Sequence, residues 1–138
     1  MEATLVAKLR AIPIFADLDD DALARVGAVV TEFEAPEGHV LTQPGQEGSG
    51  MFILEEGAVT VELPRGATVT LAPGEFFGEL AILAAGVTRT ARVQAATPVR
   101  CLAIARRDFR AILEAEPEIA VAMLPVLARR IADLEIPA

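Results

Sequence analysis

Reactive side chains are scarce in this sequence. It holds one His (His39), one Cys (Cys101), one Ser (Ser49) and neither Tyr nor Trp, so the usual nucleophiles, proton shuttles and soft metal ligands are nearly absent. The residues that could do chemistry lie together instead, in Phe76-Phe77-Gly78-Glu79-Leu80-Ala81 and, shortly after, Arg89-Thr90-Ala91. Gly78 lets backbone come close to a ligand, and a helix starting at Glu79 turns free N–H donors toward an anion. Arg89 supplies a permanent cation with a fork of donors. Glu79, when ionised, only accepts hydrogen bonds, which suits sugar hydroxyls and would repel a phosphate. Thr90 adds a hydroxyl beside the Arg. The set fits a phosphate joined to a ribose with a free hydroxyl, which is a nucleotide.

A plainer reading stands beside this one. Alone, an Arg eleven residues after a Gly is most often a surface cation, and a Glu at a helix start is most often there for the helix dipole. The surroundings weigh against it, because Arg89 enters a strand just after a turn at Gly86, where a solvated Arg has no structural task. The other polar residues read as structural. His39 follows Gly38 at a strand start and lacks the second His and carboxylate of a metal-binding cupin. Cys101, next to Leu102 and near Ile104, reads as a buried small hydrophobe. Asp17, Asp19, Asp20 and Asp21 are cap candidates that suit a helix N-terminus, since their spacing is not that of a calcium loop and the closing Glu is missing. Arg106, Arg107 and Arg110 form a solvated helix face or a source of internal ion pairs.

The elements that must position these residues are legible from periodicity. Residues 1–28 read as two helical pieces broken at Ala11-Ile12-Pro13-Ile14-Phe15. From Val29 the period shortens. Alternating or β-branched runs recur at 29–33, 40–42, 51–54, 58–63, 67–71, 91–94 and 99–104, with Gly and Pro turns between them at Gly38, Gly45, Gly57, Gly66 and Gly74. Many short antiparallel strands at this spacing predict a barrel or jelly roll. Residues 78–84 interrupt it with the composition of a helical turn or two. After Arg106 the helical period returns. One helix covers 108–114, and Pro117 opens another, in which Ile119, Met123, Leu127, Ile131 and Leu134 form an apolar stripe and Pro125 marks a kink.

Composition sets the outer bounds. The 138 residues are 53% hydrophobic, which suits one globular domain with a real core. A formal charge of −8 argues against a nucleic-acid backbone or an anionic membrane as the main partner. A single Cys excludes an internal disulfide and suits a reducing cytosol. The apolar stretch 120–128 ends at Arg129-Arg130, far short of the ~20 residues of a spanning helix. The expectation is a soluble cytoplasmic protein.

At this point the motif carries a family resemblance. Phe77-Gly78-Glu79-Leu80-Ala81 with Arg89-Thr90-Ala91 resembles the phosphate-binding cassette of the cyclic nucleotide-binding domain, the domain found in the catabolite activator protein and in cyclic-nucleotide-gated channels. Gly38, Gly45, Gly57 and Gly74 fall where that family's barrel turns lie, and residues 109–131 resemble its two terminal helices. The resemblance implies a mainly β fold with flanking helices: a β jelly roll (double-stranded β-helix barrel), N-terminal helices, a short phosphate-binding helix and two C-terminal helices. Residues 1–138 would form one domain, with N-terminal helices over 1–28, the barrel over 29–105 and C-terminal helices over 106–138.

The resemblance also implies roles. Glu79 would bind the ribose 2′-hydroxyl, Arg89 the exocyclic oxygens of the cyclic phosphate, and Thr90 a second phosphate or purine contact. Main-chain N–H groups of Gly78, Glu79, Leu80 and Ala81 would complete the cradle, with Val61 and Val69 as apolar walls and Leu134 or Ile131 capping the base. No metal and no catalytic residue is implied. The ligand would be cAMP, on the bacterial-looking branch of the family that the chain resembles, with cGMP the alternative, since a Thr after the Arg appears in cGMP-selective members while hydroxyls there also occur in cAMP binders. Leu134 and Glu135 fall where the activator branch carries the hydroxyls that hold the adenine.

The functional expectation is a stand-alone cyclic nucleotide receptor that moves its terminal helix, hinged near Pro125, toward an unidentified effector protein. It would carry no DNA-binding or channel domain and insert in no membrane, and its terminal helix is a candidate homodimer seam. Two alternatives stay open: an interaction module of the same fold that uses no nucleotide, and the sensor fragment of a larger regulator or channel. An enzyme of the cupin type is closed by the histidine count.

Overall fold

The computed structural model describes residues 3–45, 50–63, 66–78 and 91–133. They form two compact units, a helical one from residues 1–28 and 111–138 and a β one from residues 29–110.

In the helical unit, α1 (Ala3–Arg10) leads through a 3-10 turn, Pro13–Phe15, to α2 (Asp20–Gly27). Pro13 cannot continue α1 but suits the first position of the turn. Asp19 caps α2, its side chain accepting from the Ala22 N–H at 2.8 Å. Arg10 ties the turn together by donating to the Leu18 carbonyl and to Asp20. After α3 (Arg106–Ala115), which crosses the boundary between the units, α4 (Pro117–Asp133) runs through Pro125 without interruption. Pro125 withholds the bond to the carbonyl of Val121, an exposed residue where water can replace it. Arg25 on α2 donates to Glu116 at the corner between α3 and α4, with Nε at 2.9 Å. The Glu116 carboxylate is nearly buried, and the pair holds the Arg25 guanidinium firmly charged, through the hydrogen bond first and the surrounding carboxylates second.

The apolar stripe on α4 is corrected by the structure. Ile119 and Met123 are buried and Leu127 is half-buried, but Ile131 is exposed. The stripe is thus covered at its start and open to solvent at Ile131. Leu134 lies outside the described residues.

The β unit has eight described strands in two four-stranded antiparallel sheets. One sheet runs in the order β1 (Val30–Ala35), β8 (Val99–Ala105), β3 (Gly50–Glu56), β6 (Phe76–Phe77). The other runs β2 (Val40–Thr42), β7 (Arg92–Ala95), β4 (Val59–Glu62), β5 (Thr68–Leu71). Alternate residues of both sheets meet in one core, with Leu54, Val99, Cys101 and Phe77 from the first and Val59, Leu71, Val93 and Ala95 from the second. The opposite face of β3 and β8 is buried too, at Met51, Ile53, Leu102 and Ile104, which is why these segments read as continuous apolar runs. This is the β-roll with flanking helices that the sequence predicts. Its one unforeseen strand is β6, only two residues long and lying inside the motif.

Turn geometry fixes the ends of the roll. Gly57, between β3 and β4, has φ 87°, and a Cβ there would come within 2.3 Å of the Pro98 carbonyl oxygen. Both the backbone sign and the close approach require glycine.

Candidate functional site

The β4–β5 hairpin shows where the roll opens. Its register pairs Val59 with Leu71 and, one step further from the Gly57 turn, Val61 with Val69, all on the face that looks into the roll. Val59 and Leu71 are buried, Val61 is half-buried, and Val69 is 44% exposed. A large apolar side chain on the inner face with nearly half its surface uncovered marks an open mouth with apolar walls. Such walls suit the flat, apolar faces of a sugar or a base. The two residues singled out as walls in the sequence are thus direct cross-strand partners.

The motif begins at the same end. In β6, Phe76 pairs with Ile53 and Phe77 with Phe52, so the strand runs away from the turn at Gly74, whose N–H bonds to the Leu54 carbonyl. Phe77 hands the chain to Gly78, which has φ 85°, a conformation that excludes most side chains. The chain re-enters the described structure at Ala91, where the Thr42 hydroxyl donates to its carbonyl at 2.9 Å, and continues as β7 with Val93 opposite Val61. Glu79, Leu80, Ala81, Arg89 and Thr90 lie outside the described residues, as does the short helix expected over 78–84 apart from its first residue. Gly78 thus follows Phe77 on the first sheet, and Ala91 leads into β7 on the second, where Val93 pairs with Val61.

Sequence reasoning missed part of this wall. Phe33 and Phe52 are half-buried on the inner face, Phe33 edge-on to Phe52 at 5.8 Å between centroids and Phe52 stacked on Phe77 at 5.1 Å. Their alternation marks them as inward-facing, but only strand pairing brings three rings from three strands together.

The opposite end has different chemistry. A cleft of about 420 Å³ lies between Glu34, Pro36, Glu56, Pro98 and Arg100. Its one cation is already engaged, because Arg100 donates to Glu34 at 2.5 Å and has Glu32 and Glu56 within 4 Å. The Glu34 hydrogen bond, with the charges of Glu34 and Glu56, keeps that guanidinium charged against its partial desolvation. A phosphate would meet the carboxylates of Glu34 and Glu56 there, so this cleft is no anion site. Among the described residues no group of three or more His, Cys, Asp or Glu is placed to hold a metal ion. His39 is exposed, Cys101 is buried, and no described helix is long and apolar enough to cross a membrane.

A β-roll with apolar walls, in a sequence that carries Gly78-Glu79 and Arg89-Thr90 between β6 and β7, defines a class of ligand-binding domain, and sequence comparison agrees. The chain belongs to the cyclic nucleotide-binding domain family, whose sequence model matches residues 32–116. It is 37% identical over 110 residues to the cyclic nucleotide-gated potassium channel mll3241 of Mesorhizobium japonicum, covering 80% of this chain and 30% of the channel. The chain thus spans about a third of the length of the curated relatives it matches. Among solved structures, the catabolite activator protein of Thermus thermophilus superposes with a TM-score of 0.77 at 28% identity, over 89% of this chain and 61% of that one. The regulatory subunit of a cAMP-independent protein kinase A from Trypanosoma cruzi, bound to guanosine, gives 0.75 at 26% identity, over 87% of this chain and 43% of that one.

Proposed function

We propose that the chain is a cyclic nucleotide receptor, with cAMP as ligand ahead of cGMP. The observation that carries this reading is the mouth of the roll. Val69 stands exposed on the inner face opposite Val61, and Gly78, in a left-handed conformation, leads directly into Glu79. In this reading Glu79 accepts from the ribose 2′-hydroxyl, Arg89 forms charge-assisted bonds to the cyclic phosphate, and Thr90 adds a second contact. Backbone N–H groups from Gly78 to Ala81 complete the cradle, Val61 and Val69 flank the sugar and base, and Leu134 covers the base. The receptor is a single non-catalytic cytoplasmic domain that reads no DNA. Its signal leaves through the terminal helix toward an effector protein, on this chain's own account or as the sensor part of a larger regulator or channel. The likeness to a cyclic nucleotide-gated potassium channel supports a cyclic nucleotide as ligand.

Titration calorimetry of the chain with cAMP, cGMP and guanosine tests the reading. The expected result is micromolar or tighter binding, strongest for cAMP, falling roughly 10- to 100-fold in Arg89→Leu as a charge-assisted contact is lost. Equal binding by wild type and Arg89→Leu, or guanosine bound as tightly as cAMP, overturns it.

A second copy of the chain is the partner that α4 favours. Val121, Leu124 and Ile131 are 66%, 61% and 55% exposed, and with Ala128 they follow the three-four-three spacing of a coiled-coil seam.

A further inference from the structure

We propose that Thr42 is a positioning residue of the nucleotide site, its hydroxyl fixing the point at which the chain re-enters the roll behind the Arg89–Thr90 pair. The proposal rests on the receptor reading above. Thr42 is only 3% exposed, one of the few polar side chains buried in the described structure. Valine would match its volume and suit a strand equally well, so the buried hydroxyl needs a task that offsets its desolvation. That task is the hydrogen bond to the Ala91 carbonyl.

Strand pairing explains why this bond is needed. The β2–β7 ladder shifts register between Val40, opposite Gln94, and Thr42, opposite Val93. Two steps along β2 answer one step along β7, which is a bulge at Leu41, and bulges re-aim the side chains beside them. Here Leu41 packs against the core while the adjacent Thr42 is also buried. The far end of the same ladder is closed by backbone and amide bonds, Gly38 N–H to Ala95, Ala95 N–H to His39, and the Gln94 side chain to Gly38. At the mouth, β7 begins only at Arg92, and the Thr42 hydroxyl extends the lock one residue beyond the strand, to Ala91. Ala91 is covalently joined to Thr90. A site that reads a cyclic phosphate with Arg89 and Thr90 depends on where this anchor sits, because small misplacement of donors is costly to charge-assisted bonds.

The test compares Thr42→Val, which keeps the shape and loses the donor, with Thr42→Ser, which keeps the donor. Thr97→Val is the control. It removes a hydroxyl that bonds the Ala58 N–H near the Gly57 turn, at the opposite end of the roll. Calorimetry with cAMP is paired with hydrogen–deuterium exchange of the ligand-free chain. Thr42→Val is expected to weaken cAMP about fivefold to tenfold, the equivalent of one hydrogen bond, and to speed exchange at residues 89–93. Thr42→Ser is expected to restore both, and Thr97→Val to leave both unchanged. Unaltered affinity in Thr42→Val, unaltered exchange at 89–93, or failure of Thr42→Ser to rescue overturns the proposal. If wild type binds no cyclic nucleotide, the receptor reading falls on its own, and the exchange data still decide whether Thr42 anchors the re-entry.

Discussion

Cys101 and Val69 show how far one residue can be read before the fold is known. Cys101 lies between apolar neighbours in the sequence, and it is fully buried in the core of the roll. Burial pushes its thiol up from the ordinary 9.0 to about 11, and the negative charge of Glu55 adds to the shift. The folded chain therefore keeps a proton that the unfolded chain gives up. This contribution to stability is whole below pH 9 and is lost as pH rises to 11. Urea unfolding at pH 8 and pH 11 is expected to show a fall in stability that Cys101→Ala flattens, although the cavity left by that change lowers stability at both pH values. Val69 was open to inference as a wall residue by resemblance. Its exposure was not, because alternation in a strand tells which side a residue faces and nothing of whether that side is filled.

At the scale of elements, turns are the best-read feature, since their requirements are local. Gly57 is the sharpest case, because two separate demands fall on it, a positive φ and a Cβ position 2.3 Å from the Pro98 oxygen. Gly38 shares the positive φ but has open space around it. Gly57→Ala is therefore expected to destabilise the chain by more than Gly38→Ala, at least about 2 kcal/mol against about 1 kcal/mol. Thermal or urea melts of the two variants measure the difference, and equal losses would show that the Pro98 approach relaxes freely. Strands β1, β2, β3, β4, β5, β7 and β8 follow from alternation and Gly/Pro spacing. The two-residue β6 does not, because Phe76 and Phe77 hold no pattern of their own and become a strand only when β3 pairs with them. The reverse holds on α4, where the periodic stripe is real but Ile131, within it, is exposed.

For the whole molecule, the exposed seam on α4 is the feature with a consequence for assembly. If Val121, Leu124 and Ile131 meet a second copy, the chain sediments as a dimer at micromolar concentration, and Leu124→Glu converts it to a folded monomer, since Leu124 is 61% exposed and adds little to the chain's own core. Wild type sedimenting as a monomer sinks the seam. The −8 charge also acts at this scale, since it disfavours close approach of the chain to a nucleic-acid backbone. By itself the sequence determined the fold class, the turns, an acidic cap for α2 among Asp17, Asp19, Asp20 and Asp21, and the membership of the motif in its family. Each of these rests on local spacing, on the chemistry of single residue types, or on both. Only the tertiary structure decided that Val61 and Val69 are partners at an open end, that three phenylalanines from separate strands share one wall, that Arg100 is surrounded by carboxylates, and that Thr42 holds Ala91. Those facts depend on pairing between residues as much as 68 positions apart, such as Glu32 with Arg100. Such pairs are brought together by burial of the whole apolar surface, a property of the assembled sheets that no single stretch of residues carries.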